Sequence, residues 1–252
     1  MGEPPRKAYL VTGAARRVGA AIVRRLHVAG GNVLIHYRGS RTDADALAAE
    51  MNAMRPGSAV TQSLELARTD ALKSLVDAAL GAFGRLDGLV NNASGFFPTP
   101  LGSISGAQWD ELLASNLKAP LFLAQAAAPA LRQSKGAIVN IIDIHAERPL
   151  KDYLVYSAAK AGLAGLTRAL AIELAPEVRV NGVSPGAISW PDDDANQGQF
   201  HAAERARILA GTPLGREGGE DEIAKAATFL LSESGYVTGQ ILAVDGGRSI
   251  YL

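Results

Sequence analysis

The sequence predicts an α/β fold: a doubly wound parallel sheet of about seven strands with helices on both faces, in a single domain over residues 1–252. Three observations carry that expectation. Short apolar runs alternate with stretches of helical periodicity along the whole chain. The runs are apolar on consecutive residues, as in Asn32–Tyr37 (NVLIHY), which suits strands covered on both faces. No linker or repeat interrupts the alternation.

The elements follow in order. Ala8–Thr12 is a short strand ending at Gly13, and Val18, Ile22 and Leu26 mark one face of a helix that stops at Gly30-Gly31. Strand Asn32–Tyr37 leads to a helix over Thr42–Met54, a weak strand near Ser58–Leu64, a helix over Asp70–Phe83 and a strand at Leu86–Asn91. A long helical region, Gly106–Arg132, precedes strand Ala137–Ile142. Leu163, Leu166, Leu170 and Leu174 recur at helical spacing and predict a helix over Leu154–Leu174. Strand Val178–Val183 follows, then an irregular stretch Pro185–Gly198, two short helical segments and a last strand at Ile241–Val244.

A chain of this length buries roughly 70–75% of its unfolded surface. Its 25 basic and 25 acidic residues cancel, which removes the electrostatic case for nucleic acid or an anionic membrane. The absence of cysteine excludes disulfides, zinc–thiolate sites and a catalytic thiol, and suits a reducing compartment. His27, His36, His145 and His201 are scattered without metal-ligand spacing. The N-terminus lacks a signal peptide's apolar stretch, and no apolar run approaches the length of a membrane span. The expectation is a soluble, cytoplasmic protein that works on a small molecule.

Two stretches carry chemistry. Thr12-Gly13-Ala14-Ala15-Arg16-Arg17-Val18-Gly19 occupies the first strand-to-helix turn, where a Rossmann fold binds pyrophosphate on the unpaired N–H groups of the helix. Gly13 permits the tight turn and Gly19 lets the helix pack close to the sheet. The second strand ends His36-Tyr37-Arg38-Gly39-Ser40, with no acid from Asn32 to Thr42 to hold ribose hydroxyls. Arg38 and Ser40, aided by Arg16, offer charge-assisted hydrogen bonds to a 2′-phosphate, so NADPH is the expected cofactor. In the second stretch, Tyr156 and Lys160 lie four apart on one helix face. A nearby ammonium favours the phenolate, bringing a proton normally released at about pH 10 nearer neutrality.

With Asn91-Asn92-Ala93-Ser94, Asn116, Ser184-Pro185-Gly186, Thr238-Gly239-Gln240 and Val244-Asp245-Gly246-Gly247 in this order, nearly the whole chain resembles the short-chain dehydrogenase/reductase family. The resemblance implies that Tyr156 is the proton donor, and that Lys160 binds the nicotinamide ribose and lowers the tyrosine pKa. Asn116 would anchor a water linking Lys160 to solvent; Pro120, four residues on, has no N–H for the Asn116 carbonyl, which fits that role. Asn92, Ala93 and Ser94 would close against the cofactor, Pro185, Gly186 and Ile188 would flank the nicotinamide, and Glu65 and Leu66 would complete the contacts. Family members commonly form tetramers through the helix carrying Tyr156 and the one before it, so a homo-oligomer is expected.

Three departures narrow the resemblance. Arg17 stands where the family usually has a second glycine, Asp143 where its catalytic serine falls, and Ser94 where Asn-Asn-Ala-Gly ends, followed by Gly95-Phe96-Phe97. Together they resemble the pteridine reductase branch. That implies a pterin sandwiched between nicotinamide and Phe96, held by Arg17 and Ser94, with Asp143 and Tyr156 delivering a proton. The chemistry agrees: an ionised Asp143 repels a developing alkoxide, whereas reduction at a C=N bond requires a proton on nitrogen. Trp190 and Phe200, in a substrate loop over about residues 187–200, would cover the ring, with Asp192–Asp194 toward solvent or a pterin side chain. The reading is an NADPH-dependent reductase of dihydropterins or oxidised pterins, with dihydrofolate a slower substrate. The alternatives are a carbonyl reductase of the same family acting on oxoacyl thioesters, ketones or sugars, and a catalytically silent NADPH-binding sensor.

Overall fold

A computed structural model describes residues 5–190 and 202–251; Phe200 and Asp192–Asp194, assigned above to the substrate loop, lie outside the described residues. In chain order the first half contains β1 (Ala8–Val11), α1 (Arg17–Val28), β2 (Asn32–Tyr37), α2 (Arg41–Met54), β3 (Ala59–Ser63), α3 (Lys73–Phe83) and β4 (Gly88–Asn91). It continues through α4 (Gly106–Leu113), α5 (Ala119–Ser134), β5 (Ala137–Ile141), α6 (Leu154–Glu173), β6 (Arg179–Pro185), α7 (Ala202–Ala210), α8 (Glu220–Thr228), β7 (Ile241–Val244) and α9 (Arg248–Tyr251).

The seven strands form one parallel sheet in the order β3-β2-β1-β4-β5-β6-β7. Alternation along each strand fills two cores at once. Tyr9, Val11, Val33, Ile35 and Val139 face α1, α2 and α8, whereas Leu10, Leu34, Leu89 and Ile138 face α3, α5 and α6. Burial on both faces is the reason the strands read as unbroken apolar runs.

The sheet order reverses between β1 and β4, so consecutive crossovers leave on opposite faces and open a crevice at the carboxyl ends of these strands. Side chains staple that point. Thr12 Oγ1 accepts from the N–H groups of Asn92 and Ala93 at 2.9 and 3.1 Å, and Asn92 Nδ2 donates to the carbonyls of Thr12 and Gly13, both at 2.9 Å.

One expected element is divided. The long helical region over 106–132 is α4, a π-helical turn (Ala114–Lys118) and α5. Pro120 has no N–H to offer the Asn116 carbonyl, and the N–H of Ala119 reaches back to Ala114, one residue further than in an α-helix.

Two glycines separate close packing from conformational freedom. A Cβ on Gly19 would stand 2.4 Å from the Gly13 carbonyl oxygen and 2.7 Å from Asn92 Nδ2, whereas one on Gly81, inside α3, meets nothing within 4 Å. Gly19→Ala is therefore expected to lower the unfolding free energy by about 1–3 kcal/mol. Gly81→Ala is expected to raise it by about 0.5–1 kcal/mol. Urea titrations of the two variants check both signs.

Candidate active site

A cleft of about 1600 Å³ runs along the carboxyl ends of the strands at the switch point. Its walls take in Gly13 and residues 16–19, residues 36–40 at the end of β2, Glu65 and Leu66 after β3, and residues 92–94 after β4. Asp143, Tyr156, Lys160, Pro185, Gly186 and Ile188 close its other end. Of the residues singled out from the sequence, Asn116, Phe96 and Trp190 do not line it.

At the glycine turn the backbone is pressed against the neighbouring strand's exit. Gly13 has φ +58°, and a Cβ there would stand 2.8 Å from Ala93 Cα. His36 holds the turn from behind. Its Nδ1 accepts from the N–H of Gly13 at 3.1 Å and its carbonyl accepts from Ala14 at 2.8 Å. Its Nε2 donates to the Leu64 carbonyl at 3.0 Å, which fixes a neutral ring protonated on Nε2. Burial lowers the His36 pKa, in keeping with that tautomer. No side chain caps α1, so its first N–H groups are open to an anion. Arg17 opens the helix with φ +53°, the left-handed conformation that glycine adopts most easily. Its guanidinium donates to the Ser189 carbonyl and lies 3.9 Å from Glu220.

The cations expected at a 2′-phosphate are not bare. Arg16 donates to Ser40 Oγ at 3.0 Å and lies 3.5 Å from Asp43, while Arg38 lies 3.8 Å from Glu65. The absence of an acid over 32–42 thus does not extend to the folded neighbourhood, because Asp43 and Glu65 come in from α2 and the end of β3. These pairs are solvent-exposed and cheap to open. An open helix terminus, a glycine cradle without room for a Cβ and three arginines fit a dinucleotide phosphate chain.

At the other end of the cleft, Tyr156 Oη donates to Asp143 Oδ2 at 2.7 Å. Asp143 Oδ1 accepts from the N–H of His145 at 2.8 Å, so one carboxylate both caps the 3-10 turn (Ile144–Ala146) and holds the phenol. Lys160 is buried and its Nζ donates to the Ile141 carbonyl at 2.9 Å, with Nζ 5.6 Å from the centroid of the Tyr156 ring. Burial brings the Lys160 pKa down to about 8, against the opposing pull of Asp143. The expectation that the lysine lowers the tyrosine pKa is not met here. Burial first, then the Asp143 charge, hold the Tyr156 pKa well above its usual value.

Three further residues named from the sequence are held by neighbours in the fold. Asn116 is buried in the π-helical turn, its Oδ1 accepting from Ser94 Oγ at 2.7 Å and its Nδ2 donating to the Gly95 and Leu112 carbonyls at 2.9 and 3.0 Å. Its side chain holds the Ser94–Gly95 loop and does not reach the cleft. The Phe96 ring stacks on Tyr153 at 4.5 Å and 17°, and meets Tyr156 edge-on at 4.8 Å and 80°. The Trp190 ring lies under the Arg205 guanidinium at 5.5 Å.

Sequence reasoning missed a polar ladder beneath the site. Asn91 Nδ2 donates to Asn140 Oδ1 at 2.8 Å, and Asn140 Nδ2 to Thr167 Oγ1 at 2.9 Å, which ties β4 and β5 to α6. The signal available was an amide inside each of two apolar strands, since a fully buried amide requires partners.

The chain matches the family described as Enoyl-(Acyl carrier protein) reductase over residues 13–249. It is 38% identical over 287 aligned positions to pteridine reductase 1 of Leishmania tarentolae, covering 98% of each chain. It is 36% identical over 244 positions to the 3-oxoacyl-acyl-carrier-protein reductase FabG of Staphylococcus aureus strain N315, covering 96% of this chain and 97% of the relative. The corresponding Staphylococcus epidermidis reductase is 35% identical over the same span, 96% of this chain and 98% of its own. The chain belongs to the short-chain dehydrogenase/reductase family of oxidoreductases, whose reductases use nicotinamide cofactors. Among the described residues no helix is long and apolar enough to cross a membrane.

The electrostatics of the site give a direct test. Asp143 raises the pKa values of both Tyr156 and Lys160. Asp143→Asn is therefore expected to let Tyr156 ionise at lower pH, read by ultraviolet difference titration with Tyr156→Phe as the blank. Superimposable curves for wild type and Asp143→Asn would show that the charge is not coupled to the phenol.

Proposed function

We propose that this chain is an NADPH-dependent pteridine reductase acting on dihydropterins or oxidised pterins, with dihydrofolate as a slower substrate. Identities of 38% and 36% to two kinds of reductase do not choose between them. The observation that carries the choice is the hydrogen bond between Tyr156 and Asp143 in the cleft wall. A carboxylate there opposes the alkoxide that forms from a ketone, and it suits a reaction in which a ring nitrogen gains a proton.

In this reading the N–H groups opening α1 and the Arg17 guanidinium take the pyrophosphate. Arg16, Arg38 and Ser40 take the 2′-phosphate, displacing Asp43 and Glu65. When bound, the nicotinamide supplies hydride to a ring carbon beside nitrogen. Pro185, Gly186 and Ile188 bound the space around it, and Lys160 holds a ribose hydroxyl while charged. Because its pKa is raised, Tyr156 keeps its proton at neutral pH and stands as the donor, with Asp143 orienting the phenol and relaying the replacement proton from solvent. Arg17 and Ser94, both on the cleft wall, hold the polar edge of the pterin. Phe96 braces Tyr153 and Tyr156 from the side. The same reading includes a homo-oligomer, a tetramer by family resemblance, with exposed Leu121, Leu154 and Ile172 on α5 and α6 available for it.

The test is NADPH oxidation, followed optically, with a dihydropterin, dihydrofolate and a β-keto thioester in parallel. Turnover of the pteridines and not of the thioester is expected, and Asp143→Ser should lower pterin turnover by about a hundredfold or more without changing NADPH affinity. Turnover of the thioester alone would make the protein a general carbonyl reductase. NADPH binding without turnover of any substrate would make it a sensor.

The pH profile is a second check. The Lys160 pKa lies at about 8, so the ammonium needed at the ribose is present below that pH and is lost as pH rises through it. Cofactor affinity is expected to weaken above this point, and Lys160→Met should flatten that limb.

A further inference from the structure

Helix α6 carries Tyr156 in its first turn but does not cap itself. Its N-cap residue, Tyr153, makes no side-chain capping bond, and no acidic residue stands in the first turn. The chain enters the helix through Asp152 at φ +66°, an unfavourable conformation for a residue other than glycine. Val155, next to the catalytic tyrosine, is fully buried, so water cannot serve its N–H.

The missing partner comes from 56 residues away. Thr99, itself fully buried, accepts the Val155 N–H on Oγ1 at 3.1 Å. Its own N–H donates to the carbonyl of the strained Asp152, and Thr99 pairs with Tyr153 in an isolated parallel bridge. Three residues earlier on the same loop, Phe96 stacks on Tyr153 and meets Tyr156 edge-on. One threonine therefore clasps the loop that follows β4 to the turn that bears the proton donor.

We propose that Thr99 is a positioning residue: a cap supplied in trans to α6 that fixes the loop carrying Ser94 and Phe96 in register with Tyr156 and its bond to Asp143. The proposal rests on the reading that Tyr156 moves the proton, and not on which substrate receives it. Loss of the cap leaves the Val155 N–H buried without a partner and lets the first turn of α6 shift, which displaces the Tyr156 hydroxyl from Asp143 Oδ2. The phosphate end of the cleft, built on α1 and His36, does not touch this clasp.

The test compares Thr99→Val, which keeps the shape and removes the acceptor, with Thr99→Ser, which keeps the acceptor. With whichever substrate the wild type reduces, Thr99→Val is expected to lower kcat about tenfold, since small misplacements of a reacting group are costly. NADPH affinity should stay within about twofold of wild type because the phosphate contacts are remote, and Thr99→Ser should restore most of kcat. If Thr99→Val fails to fold, Thr99→Ala against Thr99→Ser makes the same comparison. Hydrogen exchange over residues 154–157 reads the cap without a substrate, and faster exchange is expected in the valine or alanine variant but not in the serine variant. Unchanged kcat in a folded variant lacking the acceptor, equal loss in the serine variant, or unchanged exchange would each overturn the proposal. Should the wild type turn over the thioester and no pteridine, the pteridine reading fails while the kcat ratio still decides the role of Thr99. Should it reduce nothing, the exchange comparison decides it.

Discussion

An ammonium and a phenol buried side by side are the constraint on which the rest of this molecule depends. Lys160 is 2% exposed and Tyr156 4% exposed, and neither position is tolerable in an apolar core without a partner. The partners are the Ile141 carbonyl at the end of β5 and the Asp143 carboxylate two residues on. Helix α6 is therefore locked to the end of one strand, and the sheet order places that strand beside β4 and the switch point. The Asn91–Asn140–Thr167 ladder repeats the same tie two turns further along α6. Cleft, helix and sheet are positioned by one set of polar demands inside an apolar core.

Arg17 shows where the turn departs from the least strained solution. A left-handed residue at the start of α1 is accommodated most easily by glycine, and an arginine there costs about 1 kcal/mol of backbone strain. What it gains is a guanidinium at the mouth of the phosphate cradle, within reach of the Ser189 carbonyl and Glu220. The strain at this turn thus sits where the chain faces the cleft, and the guanidinium it places there is the compensation that packing alone does not supply.

The fold was legible because its signals are local. Consecutive apolar residues marked β2 and β5 within a residue of their ends, and leucines at helical spacing marked α6. Glycines and a Tyr–Lys pair at fixed spacing marked the two ends of the cleft. What was hidden depends on partners distant in sequence. Asp43 and Glu65 reach Arg16 and Arg38 only once α2 and β3 are folded. Thr99 and Val155 are 56 residues apart. The stack of Tyr153 on Phe96 joins residues 57 apart in sequence and could not be seen there either. The π-helical turn was hidden for another reason: a proline near the start of a helix is ordinary, and the widening depends on where the ladder above it resumes.

The sign of the tyrosine shift bears most on mechanism. Sequence spacing suggested a phenol made acidic by a lysine, yet the folded geometry does the reverse. The ammonium is engaged by Ile141 and the nearest charge to the hydroxyl is negative. A phenolate at this position would have to be reprotonated before it could serve a substrate. A phenol held neutral by burial and by Asp143 has its proton in place beforehand, engaged with the Asp143 carboxylate at 2.7 Å until a substrate acceptor takes over. The cost is a weaker intrinsic acid, and that is acceptable only if the receiving atom is basic. An imine-type nitrogen becoming an amine meets that condition better than a carbonyl oxygen, whose rising negative charge Asp143 would oppose. On the proposed reading, the carboxylate that would oppose an alkoxide is thus the group that keeps the tyrosine protonated for transfer to nitrogen.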